Sequence, residues 1–236
     1  MGVVMRKSLV TLAFLSSSIF STVGHAGDWT GPYVGAHGGW SDWSLARPDD
    51  PTSPTQSIDG AFGGLQIGYD YQFPSNIVLG ALADVSIGNL DNNPITDGGT
   101  IMVHSDLDAF GTLRGRLGYS FGHILAYATG GGAWVNGSTT EDCPPNAQFG
   151  HCSRVGAYSE TDDFTRWGWA YGGGVEMQIV DNVSLFAEYL RLDFGTETHN
   201  LGPKSNDREV AIDDVDVVRA GINFKFGHRE TTASLK

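Results

Sequence analysis

The chain has 236 residues, enough for one barrel-sized domain or two small ones, and its 40% hydrophobic content with a slightly negative mean hydropathy excludes a protein built of membrane-spanning helices. Its 27 acidic against 14 basic residues give a formal charge of −13, which argues against nucleic acid, whose phosphates require clusters of Lys and Arg. Glycine, at 33 residues, is about twice its usual share, without a collagen period or a longer internal repeat, so the glycines have to be read inside the individual segments.

The first element is a targeting signal. Arg6 and Lys7 precede the apolar run SLVTLAFLSSSIF, and STVGHA follows, placing small Gly24 and Ala26 at positions −3 and −1 of a cleavage site. The run is shorter, and richer in Ser, than the roughly 20 apolar residues of a spanning helix. Residues 1–26 are expected to be removed on export, with Met5 as an alternative start. Arg6 and Lys7 leave with the signal, so the mature chain (27–226, with a short tail at 227–236) carries a formal charge of about −15.

Eight alternating segments follow, over 31–41, 60–73, 76–88, 104–121, 123–136, 164–180, 182–194 and 214–226. Side chains on a strand point alternately to opposite faces, so one apolar parity marks one buried or greasy face. In the second segment Leu65, Ile67, Tyr69, Tyr71 and Phe73 oppose Gln66, Asp70 and Gln72. In the third, Ile77, Leu79, Val85 and Ile87 oppose Asp84 and Ser86. The fourth contains LRGRLGYSF, where Leu113, Leu117, Tyr119 and Phe121 share one parity and Arg114 and Arg116 hold the other. The fifth, HILAYATGGGAWV, is ambiguous, because both its faces are apolar or small. The sixth sets Trp167, Trp169, Tyr171, Val175 and Met177 against Arg166 and Glu176, and the eighth sets Val218, Ile222, Phe224 and Phe226 against Arg219, Asn223 and Lys225.

Short and long connections alternate strictly. PSN, SFGH and VDN are short; 42–59, 89–103, 137–163 and 195–213 are long. A meander puts all the short turns at one rim and all the long loops at the other, which is the pattern of an outer-membrane barrel with periplasmic turns and external loops. Alternation alone also suits a soluble barrel with its apolar parity inside. Three features favour the membrane: export; aromatics near strand ends (Tyr33, Trp40, Tyr69, Tyr71, Phe73, Tyr119, Phe121, Trp134, Trp167, Trp169, Tyr189, Phe224, Phe226); and both signs of charge on the polar parity. Asp84, Asp108, Arg114, Arg116, Arg166, Glu176, Glu188, Arg219 and Lys225 are therefore expected to form a charge network across the lumen, since enclosed charges need partners. An eight-stranded interior is just wide enough for side chains to fill it. Gly64, Gly68, Gly115, Gly118, Gly172 and Gly174 are expected to relieve crowding beside the long charged groups. A wide pore is not expected; a narrow water path gated by the ion pairs stays open as an alternative.

The remaining motifs are weaker. Cys143 and Cys152 bracket PPNAQFGH and, in an exported chain, suit a disulfide better than a metal pair, since no second ligand pair is near. His151 and Tyr158 in the same region are candidate contacts for heme or another loop ligand, because His or Tyr ligates iron, although a disulfide-tied loop with an exposed His explains them as well. The runs GGG at 130–132 and 172–174 lie in strand pattern and lack the following Gly-Lys-Ser/Thr of a phosphate loop. Adjacent His104 and Ser105 point to opposite faces of a strand, and no Gly-x-Ser-x-Gly elbow occurs, so no enzyme is expected. No metal site and no cofactor is expected either. The polar loops read as a recognition surface or as a solvated shield among lipopolysaccharide.

DWTGPYVGAHGGW, GGLQIGYDYQF, GTLRGRLGYSF, LAYATGGGAWV, GWAYGGGVEMQI, NVSLFAEYLRLDFG and VRAGINFKF, in this order over about residues 28–226, resemble the small outer-membrane β-barrel proteins of alphaproteobacteria. That family includes surface antigens, porin-family proteins and hemin-binding proteins. The resemblance implies an all-β, eight-stranded antiparallel transmembrane barrel in the cell outer membrane with a structural and surface role; solute passage or heme capture belongs to some members. Outer-membrane lipid, lipopolysaccharide and the barrel-assembly machinery are the expected partners, and host or environmental ligands at the loops stay open as an alternative to a solvated shield. Chains of this kind end in an aromatic assembly signal, which Phe224 and Phe226 match, although GHRETTASLK follows here.

Overall fold

The computed structural model describes residues 27–46, 56–91, 95–97, 101–145, 152–199 and 208–226. The expected signal segment 1–26, the tail 227–236 and His151 lie outside these. The alternating segments form strands β1 (Gly31–Ala46), β2 (Gln56–Gln72), β3 (Ile77–Asp91), β4 (Ile95–Asp97), β5 (Ile101–Ser120), β6 (Ile124–Cys143), β7 (Tyr158–Val180), β8 (Val183–Asp193), β9 (Thr196–His199) and β10 (Arg208–Lys225), with a single-turn helix α1 (Cys152–Val155) between β6 and β7. All but β4 and β9 pair antiparallel in chain order, and β10 returns to pair with β1 from Lys225↔Tyr33 outward. Closure leaves no strand edge in the hydrocarbon, where an unpaired peptide group would have no water to bind. β4 and β9 are short additions beside β5 and β10.

The three short turns gather at the periplasmic rim. Asn76 adopts a left-handed conformation (φ 64°) and its N–H donates to Phe73 O at 3.0 Å; Gly122 does the same bending in the second turn at φ 77°.

The parity question raised by the arginines is answered by exposure. Trp167 is 75% exposed and Leu113 68%, whereas Arg114 is 1% exposed, so grease faces out and charge faces in. The ambiguous β6 resolves likewise: Leu125, Tyr127, Thr129, Ala133 and Val135 are buried, and the Gly-Ala side faces lipid. Two expectations are corrected. Tyr33 lies on the inward parity of β1 and is fully buried, so it belongs to the lumen and not to an aromatic girdle. Gly115 faces outward, sharing the parity of Leu113 and Leu117, so it does not relieve the lumen.

The strands also run further outward than their apolar parity. β6 and β7 stay paired to Cys143↔Tyr158. Beyond the bilayer both faces of a strand meet water, so pairing continues without an apolar pattern to announce it. Out there the barrel divides. β2 and β3 first pair at Phe62↔Gly88, and β7 and β8 at Trp169↔Asp193, which leaves β4–β5–β6–β7 and β2–β1–β10–β9 as two outer lobes.

Candidate functional site

The lumen is filled in storeys. The upper charged layer joins Asp84 (β3), Arg114 (β5), Glu188 (β8) and Arg219 (β10), one group from each side of the barrel. Arg114 contacts Asp84 at 3.1 Å and Glu188 at 3.0 Å; Arg219 contacts Asp84 at 3.1 Å and Glu188 at 2.6 Å. Each carboxylate thus bridges two guanidiniums, and the ring carries no net charge. Thr112 donates to Asp84 and accepts from Arg114 Nε at 2.7 Å, which fixes the fork of the arginine. Burial of an ion pair is favourable only when the remaining lone pairs and protons are also satisfied, and this closed ring meets much of that requirement.

The lower layer, toward the periplasm, has the same balance of two cations and two anions. Arg116 pairs with Asp70 and, at 2.7 Å, with Glu176. Lys225 lies 3.5 Å from Asp70. Ser184 and Asn223 both donate to Glu176 Oε1, the latter at 2.9 Å, and Gln66 donates to Asn223 Oδ1 at 2.6 Å. The Arg116 guanidinium lies 4.8 Å from the Tyr127 ring and 5.3 Å from the Tyr33 ring. Glycines make the room: a Cβ on Gly68 would come within 2.4 Å of the Tyr33 ring, and one on Gly64 within 2.5 Å of His37 Nε2.

Each end is closed. At the periplasmic mouth the segment before β1 inserts Trp29, fully buried, against Val78, Leu125 and Tyr127. Its indole N–H donates to Ser120 Oγ and Gly122 O, both at 3.1 Å, and Lys225 Nζ sits 4.8 Å above its ring. At the outer end Trp43, Phe62, Phe110 and Phe194 form an aromatic roof, with Trp43 stacked on Phe194 at 5.9 Å and Phe62 edge-on to Phe110 at 5.1 Å. His37, hydrogen-bonded to Ser86 at 2.9 Å, joins the upper charged layer to this roof. Both members of that Ser–His pair are buried.

Of the charges expected in the network, Asp84, Arg114, Arg116, Glu176, Glu188, Arg219 and Lys225 are brought together. Asp108 is not. The β5–β6 register slips between Leu107 and Ala109, so Asp108 is the extra residue of a bulge and is exposed. Arg166 is buried but stands at the roof, 5.7 Å from the Phe164 ring; ten residues of β7, about 33 Å of strand, separate it from Glu176. Asp70, Tyr33, Trp29 and His37 were missing from the expected set. Asp70 lies in plain view on the polar parity of β2, Tyr33 reads from the sequence as a girdle aromatic, and Trp29 precedes the first alternating segment.

In the outer lobe Cys143 and Cys152 are joined, with their Cα atoms 5.3 Å apart. Tyr158 begins β7 directly opposite Cys143 and borders a hollow of about 390 Å³ with Asp142, Pro144 and Pro145. Phe224 and Phe226 face outward at the periplasmic end, their rings 5.1 Å apart, and Phe226 N donates to Pro32 O at 2.8 Å. Among the described residues no group of three His, Cys, Asp or Glu side chains is placed to hold a metal ion.

A family model described as the outer membrane protein beta-barrel domain matches residues 8–226. The chain belongs to that family. It is 30% identical over 212 residues to a 31 kDa outer-membrane immunogenic protein of Brucella melitensis, covering 84% of both chains, and 25% identical over 201 residues to a 22 kDa outer membrane protein of Rhizobium leguminosarum, covering 85% of this chain and 80% of that one. The outer membrane protein OprG of Pseudomonas aeruginosa has the same fold, with a TM-score of 0.50 at 15% identity, covering 86% of this chain and 99% of that one. The lipid-facing exterior, the periplasmic turns and the external lobes described above are those of an outer-membrane barrel.

Proposed function

We propose that this outer-membrane barrel is a structural and display protein: a stiff peg in the envelope that holds its outer lobes among lipopolysaccharide and toward the surroundings. The observation that carries this reading is the occupation of the lumen from end to end, by the Trp29 floor, two neutral charge layers and the aromatic roof. A conducting path needs a continuous file of water. Here the charges that would line it are bonded to one another, and apolar side chains stop both ends. The rival reading as a narrow channel therefore requires opening two layers and a roof together. Outer-membrane lipid and lipopolysaccharide are the proposed neighbours of the barrel wall. Phe224 and Phe226, exposed and paired at the periplasmic end of β10, are the proposed contact for the assembly machinery.

Planar-bilayer recording of the refolded chain tests the reading. The expected result is no reproducible single-channel step, for the wild type and for Arg114→Ala alike. Regular conductance steps that change with Arg114→Ala or Glu176→Ala would establish the channel instead. A second reading, loop capture of heme or a host ligand, draws on the hollow beside Tyr158. Titration with heme is expected to give the same weak response for wild type, His151→Ala and Tyr158→Ala, and a selective loss in the variants would favour capture.

A further inference from the structure

Among the described residues, the outer part of β7 is paired on one side and open on the other. Toward β6 the pairing runs without a register shift from Met177 to Tyr158. Toward β8 it begins only at Trp169, and among the described residues no strand pairs with 158–168 on that side. The cause is local. Asp193 Oδ1 accepts the N–H of Gly195 at 3.0 Å, and Gly195 sits at φ 67°, a conformation open to glycine. That bend turns the chain away from β7 and delivers β9 to β10.

The register shows which groups face the open side. In an antiparallel pair, alternate residues direct both N–H and C=O to the same neighbour. Gln178 donates its N–H to His123 O, just before the start of β6, at 2.8 Å. Even-numbered residues of β7 therefore bond to β6, and Ser159, Thr161, Asp163 and Thr165 turn their backbone groups to the open side. A row of this kind is a template for another extended chain. Edges are commonly blunted by Pro or Lys, and YSETDDFTRW, over 158–167, contains neither. The same stretch is acidic: it holds Glu160, Asp162 and Asp163, while its one cation, Arg166, is buried in the lumen. A second copy of the edge would set like charges opposite one another, which is unfavourable, whereas a basic segment sets opposite charges there.

We infer that the outer edge of β7 is a docking site for an extended basic segment of another protein, added to the lobe as a further strand. The inference rests on the outward display of the lobes and not on the closed lumen, so the conductance test and the test below fail independently.

The full chain, folded in detergent, is titrated by fluorescence anisotropy with a ten-residue peptide of alternating Lys and Thr. Controls are its Glu-for-Lys counterpart and a peptide of the same composition with D-residues at alternate positions, which cannot form a regular strand. Thr161→Pro/Thr165→Pro removes two donors on the open side and leaves every bond to β6, since Pro is tolerated where the N–H faces solvent. The expected result is binding of the Lys peptide that falls at least tenfold for either control peptide and for the Pro variant. Thr161→Ala/Thr165→Ala should keep the wild-type affinity, and all variants should keep their β-type circular dichroism and heat-modifiable migration. Equal binding of the D-residue peptide, or an unchanged affinity in the Pro variant, would reduce the effect to charge attraction and overturn the inference. So would no binding at all, or self-association that only the Pro variant loses, which would make the occupant a second copy.

Discussion

Asp84 and Asp163 are both aspartates on strands of the same barrel, and they live by different rules. Asp84 is buried and bridges two guanidiniums at 3.1 Å each, inside a ring that has no net charge. Asp163 is exposed on the outer lobe, where among the described residues no strand pairs with the second side of β7. In the lumen a charge without a partner is costly, so sequence changes there must come in complementary sets. On the lobe water solvates whatever the chain presents, and the residues are free to vary with what the surface meets.

The sharpest way to break this contrast is to truncate one charge of each kind. Arg116→Ala leaves Glu176 enclosed without a cation and Asp70 with Lys225 alone, and is expected to cost about 3–5 kcal/mol of stability in urea unfolding of the detergent-folded barrel. Asp163→Ala should stay within about 0.5 kcal/mol. Similar losses for both would mean that the lumen is wetter than its contacts imply.

Two glycines sharpen the comparison at a smaller scale. Gly68→Ala drives a Cβ to 2.4 Å from the Tyr33 ring and is expected to cost about 1–3 kcal/mol. Gly130→Ala, on the lipid face, meets nothing closer than Ala170 O at 3.7 Å, and is expected to be neutral or to stabilise by up to about 1 kcal/mol. The measurement is the same unfolding midpoint, and a reversed order would refute the assignment of inside and outside. A global effect as small as that of Asp163→Ala is expected for the disulfide. Cys143→Ser/Cys152→Ser releases only the tip of the β6–β7 hairpin. It should leave the barrel's midpoint within about 0.5 kcal/mol while increasing limited proteolysis between β6 and β7.

The misreadings of the sequence fall into kinds that physics explains. Parity placed Arg114, Arg116, Glu176, Glu188 and Arg219 in the lumen, because lipid on one side of the wall enforces a strict period of two. The period failed at Asp108, where a one-residue bulge shifts the phase and nothing in the local composition marks it. It also could not separate Tyr33 from the girdle aromatics, since a tyrosine suits either an interface or a cationic neighbour. The outer reaches of β6 and β7 were invisible as strands because their two faces share one solvent.

The sequence by itself determined eight membrane strands, their meander with alternating short and long links, and the direction in which nearly every side chain points. These follow from local periodicity and from the single demand that hydrocarbon places on one face. Tertiary structure alone decided who pairs with whom across the lumen, that Trp29 and the Trp43–Phe194 stack close its two ends, and that among the described residues no strand pairs with the outer edge of β7 away from β6. Those outcomes depend on strand register and on bends such as Gly195, which set distances between residues far apart in the chain and leave no repeating trace along it.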